Sequence, residues 1–216
     1  MTPLVKFPDT TAILPPRYMG QVGYYAAMAR YGHVVVDAAL HYDKRQKDVH
    51  RCEIADTRGL LRLTVPLGKP HGCDHAPTWN DAAVSTHDEW WRQHLVALES
   101  AYGRTPYFEF LIDKFDGVLR SPEAWDAWPT AVALDRLADG VVRSILGFDN
   151  DVRWADALGV ADIPAAVDLR RADFTLPSQP PYRQIRADRL GFHPNLSILD
   201  LIFNLGPEAP LYLLDL

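Results

Sequence analysis

The chain has 216 residues, 48% hydrophobic and 23% charged, which fits one globular domain with a sizeable core. A formal net charge of -6 and a pI near 5.7 argue against a global attraction to nucleic acid or an anionic membrane. Two cysteines, Cys52 and Cys73, make no disulfide framework, the opening MTPLVKFPDTTAILPP lacks signal-peptide order, and no apolar run is long enough to cross a bilayer. The expectation is a cytoplasmic protein without membrane insertion.

Residues Thr11 to Leu14 read as a short strand closed by Pro15-Pro16. Gln21 to Tyr31 has helical spacing, with Gly32 as its stop. The β-branched run His33 to Asp37 reads as a buried strand, so the chain opens as an α/β unit with at least one parallel pair. In YDKRQKDVHR, an extended backbone would put Lys44, Gln46, Asp48 and His50 on one face, and Arg45, Lys47, Val49 and Arg51 on the other. Two β-type runs then flank Asp56-Thr57-Arg58-Gly59, where Gly59 suits the positive-φ position of a hairpin turn. Leu61, Leu63 and Val65 alternate with Arg62 and Thr64, which predicts one buried face.

Gly68 to Ala83 is a loop rich in Gly, Pro, His and Asp. Trp91, Leu95, Leu98 and Tyr102 form a helical stripe with Trp90 and His94 beside it. Thr105 as N-cap and Pro106 as first residue open the next helical pattern, which runs from Phe108 to Leu119. Another helix is predicted from about Pro129 to Ile145, stopped by Gly147. Residues 150–179 carry one strand near Val152 to Trp154 and otherwise read as a variable insertion. A last, strongly apolar helix starts at about Leu196 and ends near Gly206-Pro207. The expected fold class is α/β: a single compact domain, 1–216, with a small mixed sheet, a β-hairpin and several packed helices.

Four features bear on chemistry. The strand-to-helix crossover LPPRYMGQVGYY sits where α/β sheets tend to bind ligands, so Tyr18 and Gln21 either line a phosphate site at free helix N–H groups or only pack a tight turn. Arg51 leads into the hairpin and suits bidentate phosphate or carboxylate binding, although the stretch before it also fits a solvated edge strand. His94 is either a general base or a hydrogen-bonded core histidine. Asp200 and Asn204 interrupt the apolar last helix on one face with Ser197, so Asp200 must meet a donor. That donor is either an arginine that orders a site or part of an architectural network. Asn195 and Ser197 are alternative N-caps for this helix. The HGCDH run offers His71, Cys73 and His75, but no matching second half exists and no metal is expected. There is no Rossmann motif, P-loop or GxSxG element, and neither a cofactor nor a serine-hydrolase triad is expected.

Three stretches together resemble the WbqC-like family: LPPRYMGQVGYYAAMARYGHVVVDAALHYDKRQKDVHRCEIADTRGLLRLTVPL, WWRQHLVALESAYGRTPYFEFLIDKF and FHPNLSILDLIFNLGPEA. Their order and spacing also match, over most of 11–119 and 181–213, while 150–179 departs from the pattern and lacks its glycine-containing strand segment. The resemblance implies a bacterial protein of O-antigen or other surface-polysaccharide assembly. What such pathways require suggests transfer of an acyl or aminoacyl group to a nucleotide-linked amino sugar. Arg51 and the Tyr18–Gln21 turn would hold phosphate, His94 would act as base, and Asp200 with Asn204 would orient its partners. The alternative is a non-catalytic module that binds a glycan precursor or a biosynthetic partner protein.

Overall fold

The computed structural model describes residues 7–70, 73–119, 129–156, 163 and 165–216. Four parallel strands form one sheet in the order β5-β2-β1-β6: β1 (Thr11–Leu14), β2 (His33–Asp37), β5 (Asp151–Ala155) and β6 (Val167–Asp168). A separate antiparallel hairpin comprises β3 (Arg51–Asp56) and β4 (Gly59–Thr64). The anticipated mixture of parallel and antiparallel pairing is therefore divided between two sheets. Gly59, at φ 123°, makes the hairpin turn as its position predicted.

The helices are α1 (Val22–Met28), α2 (Trp90–Tyr102), α3 (Phe108–Leu111), α4 (Asp116–Leu119), α5 (Ala131–Leu146), α6 (Ala187–Leu190), α7 (Ile198–Leu205) and α8 (Ala209–Leu214). Leu14, Val34 and Val36 point into the main core with α1, α2 and α7, while Ile13 and Val35 on the opposite face form a small cluster with Ala155. Burial on both faces explains why β2 is a continuous apolar run. Segment 150–179 supplies two of the four strands, β5 and β6, at the sheet edges.

Several local expectations give way to tertiary contacts. Helix α1 ends at Met28, and Gly32 is no left-handed cap. Its N–H bonds the Pro8 carbonyl at 2.8 Å, and a Cβ there would lie 2.3 Å from that oxygen. The YDKRQKD stretch is not extended. The Asp43 carboxylate accepts from Arg45 N at 2.9 Å and the Asp43 carbonyl from Gln46 N at 2.9 Å. A 3₁₀ turn, Lys47–Val49, follows and buries Val49. The predicted two-face alternation from Lys44 to Arg51 is thus replaced by a folded loop. Thr105 is no N-cap: its hydroxyl donates to the Tyr102 carbonyl at 2.7 Å, and the following segment breaks into α3, a 3₁₀ turn and α4. By contrast α5 stops as predicted, at Gly147 with φ 66°, and its N-cap is Thr130, whose Oγ1 accepts from Ala133 N.

Two glycine substitutions test this packing. A Cβ on Gly23 would lie 2.0 Å from the Phe174 carbonyl oxygen, whereas one on Gly140, inside α5, meets nothing within 4 Å. Gly23→Ala is expected to cost about 2 kcal/mol in urea unfolding, because backbone must shift. Gly140→Ala should instead stabilise by roughly 0.5–1 kcal/mol, since it lowers the helix's entropic cost.

Candidate functional site

The start of α7, expected to be the last helix but followed by α8, is stitched to the first crossover by main-chain bonds. Val22 N donates to the Leu196 carbonyl at 2.9 Å, Ile198 N to the Gly20 carbonyl at 2.8 Å, and Ser197 N to the Glu53 carbonyl of the hairpin at 2.8 Å. Ser197 Oγ donates to the Met19 carbonyl at 2.7 Å and accepts from Leu199 N at 3.4 Å, so this serine is the N-cap of α7. Asn195, the alternative cap, serves α1 instead: its Oδ1 accepts from Gly23 N at 2.8 Å, and its Nδ2 donates to the Phe174 carbonyl at 3.1 Å. With Val22 and Gly23 N–H groups both engaged, the start of α1 offers no ready phosphate cradle, and of the two readings of this crossover the packed turn fits the hydrogen bonds.

These joins enclose a cleft of about 400 Å³. Its walls are the crossover at Gly20 and Gln21, the hairpin at Arg51, Glu53 and Arg62, and a strap at Thr175–Pro177. Pro194 and Ser197 close it from the α7 side, and Asp48 from the 3₁₀ turn. The volume suits a small ligand. Arg51 Nε is buried without a hydrogen-bond partner, and no acidic side chain pairs with Arg51 among the described residues. Gln21 Nε2 donates to Asp48 Oδ2 at 3.1 Å, while Gln21 Oε1 is buried and has no partner among the described residues. Gln21 thus spends its amide donor on Asp48.

Arg17 was not singled out from the sequence. It is buried behind Asp48, 3.5 Å from Asp48 Oδ2, with its guanidinium 5.7 Å from the centre of the Phe174 ring. Its Nε also has no partner among the described residues. Asp48 and Glu53 are the other unforeseen members. Arg17 lies three residues after β1, Asp48 three residues before β3, and Glu53 near the start of β3. That is the one signal that could have found them. Cys52 lines the cleft too, but burial pushes its thiol up to about 12, so it is no nucleophile near neutrality.

The remaining predicted residues lie elsewhere. Tyr18 and His94 are both buried, with the tyrosine hydroxyl 3.1 Å from His94 Nδ1, and neither lines the cleft. Burial lowers the His94 pKa to about 4, against a weaker opposite pull from the Thr64 carbonyl. Asp200 has no arginine partner among the described residues. It accepts from the Tyr182 hydroxyl and from Gln184 Nε2 at 2.9 Å, and burial raises its pKa. Asn204 Nδ2 donates to the Asp200 carbonyl at 2.8 Å, and Asn204 Oδ1 accepts from Ile185 N at 3.2 Å. Of the predicted residues, Gln21 and Arg51 share the cleft, Tyr18 and His94 pair in the core, and Asp200 and Asn204 tie the irregular 182–185 segment to α7.

A larger depression of about 720 Å³ runs along α5, but it contains none of these residues and its Arg136 is tied to Asp156. Among the described residues no group of three His, Cys, Asp or Glu side chains could hold a metal ion; His71 lies outside them. No helix among them is long and apolar enough to cross a membrane.

The WbqC-like protein family matches residues 16–139 of the chain. The chain belongs to this family. The matched region includes Gln21, Asp48 and Arg51 of the cleft, and Tyr18 and His94 of the core, whereas the strap and the α7 wall of this WbqC-like cleft lie beyond it. The chain is also similar to "Uncharacterized protein Rv1507c" of Mycobacterium tuberculosis (strain ATCC 25618 / H37Rv), at 24% identity over 237 residues, covering 94% of this chain and 96% of that protein. No solved structure matches it.

The His94 environment has a measurable consequence. A histidine whose folded pKa lies below its unfolded value contributes stability that is present above about pH 6.5 and lost as pH falls through the folded value near 4. Unfolding free energy should thus fall by about 3 kcal/mol from this residue between those limits, and His94→Gln should remove that component. An NMR titration of the His94 ring with an inflection near pH 6.5 would show instead that the imidazole is open to solvent.

Proposed function

We propose that this WbqC-like protein acts in bacterial surface-polysaccharide (O-antigen) biosynthesis by binding a nucleotide-linked amino sugar in the cleft between the first crossover, the hairpin and α7. The reaction served is transfer of an acyl or aminoacyl group to the sugar amine. The carrying observation is Arg51, a guanidinium on a rigid strand, with a buried unpartnered Nε and no ion pair among the described residues. A half-buried guanidinium without a counter-ion suits an anionic ligand, and it matches phosphate oxygens in a bidentate manner. In this reading Arg51 grips the diphosphate, with Arg62 at the cleft rim as a second cation.

One observation favours the non-catalytic alternative, a binding module for a glycan precursor or a partner enzyme. His94, the residue proposed as base, pairs with Tyr18 in the core and is neutral well below pH 7. As a transferase the protein would therefore draw its base from Asp48 or Glu53, the carboxylates that line the cleft. Tyr18, Asp200 and Asn204 would then support the site through packing rather than contact.

Titration with nucleotide-linked amino sugars, followed by mass spectrometry of mixtures with acyl donors, separates these readings. Arg51→Ala should weaken nucleotide-sugar binding roughly tenfold or more while leaving the thermal midpoint within a few degrees. Unchanged affinity in that variant would reject the cleft as the anion site. Binding without product would leave the binding module.

A further inference from the structure

The depression along α5 is larger than the cleft, at about 720 Å³, and shares no residue with it. It lies on the outer face of the helix. Ala133, Leu137 and Val141 recur there every four residues and are half-buried, while Leu134, Ala138 and Val142 on the other face belong to the core. A volume of this size with an apolar floor suits a small organic ligand. Lys114, in the 3₁₀ turn between α3 and α4, and Arg136 of α5 supply cations at its rim.

Gly140 lies inside α5 and lines this groove. Glycine is a poor residue for a helix interior. Other glycines of the chain answer a local demand: a Cβ on Gly23 would strike the Phe174 carbonyl, and Gly147 has a left-handed φ of 66°. Gly140 answers neither, since it continues the helix and a Cβ there meets no described atom within 4 Å. Its missing side chain therefore serves no neighbour among the described residues. What it does is leave the groove floor open beside Leu137 and Val141.

The rim sets the charge of an occupant. Arg136 is paired with Asp156 and lies over the Trp154 ring, 5.4 Å from its centre. Lys114 is exposed and has no ion pair among the described residues, so its ammonium is open to a ligand. Two cations and one carboxylate leave the groove a single net positive charge, which matches a monoanion. We propose that this groove is a second ligand site and takes an amphipathic monoanion, an aliphatic chain laid over Gly140 with its carboxylate met by Lys114. The site goes beyond the function proposed for the cleft and does not rest on it.

The test is calorimetry on the full chain with decanoate, decanol and butyrate at about pH 7.5, where a carboxylic acid is ionised. Decanoate should bind about threefold or more tighter than decanol, which lacks the charge, and at least about tenfold tighter than butyrate, which lacks the chain. Lys114→Gln should weaken decanoate about threefold and leave decanol unchanged. Gly140→Leu should weaken decanoate more than about tenfold while the thermal midpoint holds or rises, because the new side chain has room and favours a helix. Should Gly140→Leu lower the midpoint, Gly140→Ala decides: it should weaken decanoate about threefold while stabilising α5. Failure of decanoate to bind saturably, decanoate no tighter than decanol, or affinity unchanged by the Gly140 variants overturns the site. A wild-type dimer in sedimentation that Gly140→Leu dissolves overturns it too, since a second copy of the chain would then cover the groove.

Discussion

Residues 19–22 and 196–198 run past each other and exchange main-chain hydrogen bonds, and the rest of the candidate site depends on that contact. The crossover from β1 to α1 has no sheet partner of its own for these groups. The approach to α7 supplies one, and Ser197 adds a hydroxyl that both caps the helix and bonds the Met19 carbonyl. Ser197 N also bonds Glu53, so one residue joins the crossover, the hairpin and α7. Buried backbone groups left unpaired would each cost on the order of 1–3 kcal/mol, which makes this junction rigid. Asn195 extends the same junction by tying the start of α1 to the strap at Phe174.

The junction also decides what the cleft can do. It consumes the first N–H groups of α1, which removes the helix-end phosphate cradle that many α/β crossovers display. The guanidinium groups at or near the cleft are those of Arg51, on a strand, and Arg17, held between Asp48 and the Phe174 ring. Beside them stand the carboxylates of Asp48 and Glu53.

The two other groups of polar residues have structural work. His94 and Tyr18 share a hydrogen bond among tryptophans, where burial keeps the ring neutral. Asp200, Tyr182, Gln184 and Asn204 fasten the irregular segment before α6 to α7. A carboxylate inside an apolar helix is thereby satisfied by a tyrosine and a glutamine, with no arginine partner among the described residues. The same residues are needed because segment 182–185 has backbone groups that no sheet satisfies, such as Ile185 N.

Local rules in the sequence determined much of the scaffold. The β1-α1-β2 unit, the hairpin with Gly59 at its turn, the stripe of α2 and the Thr130-to-Gly147 helix are all set by periodicity and by residues whose preferences act over a few positions. Family membership was legible for the same reason, since the matching stretches are long and contiguous. Tertiary structure alone decided where polar side chains found partners. Whether YDKRQKD extends or folds depends on an Asp43 turn and on Trp79 packing against Tyr42 from a distant loop. Whether Asn195 caps α7 or α1, and whether Asp200 meets arginine or tyrosine, depends on segments far apart in the chain. Arg17, Asp48 and Glu53 became site residues for the same reason: cleft walls are built from non-local neighbours, and no spacing along the chain encodes which charges will face one another.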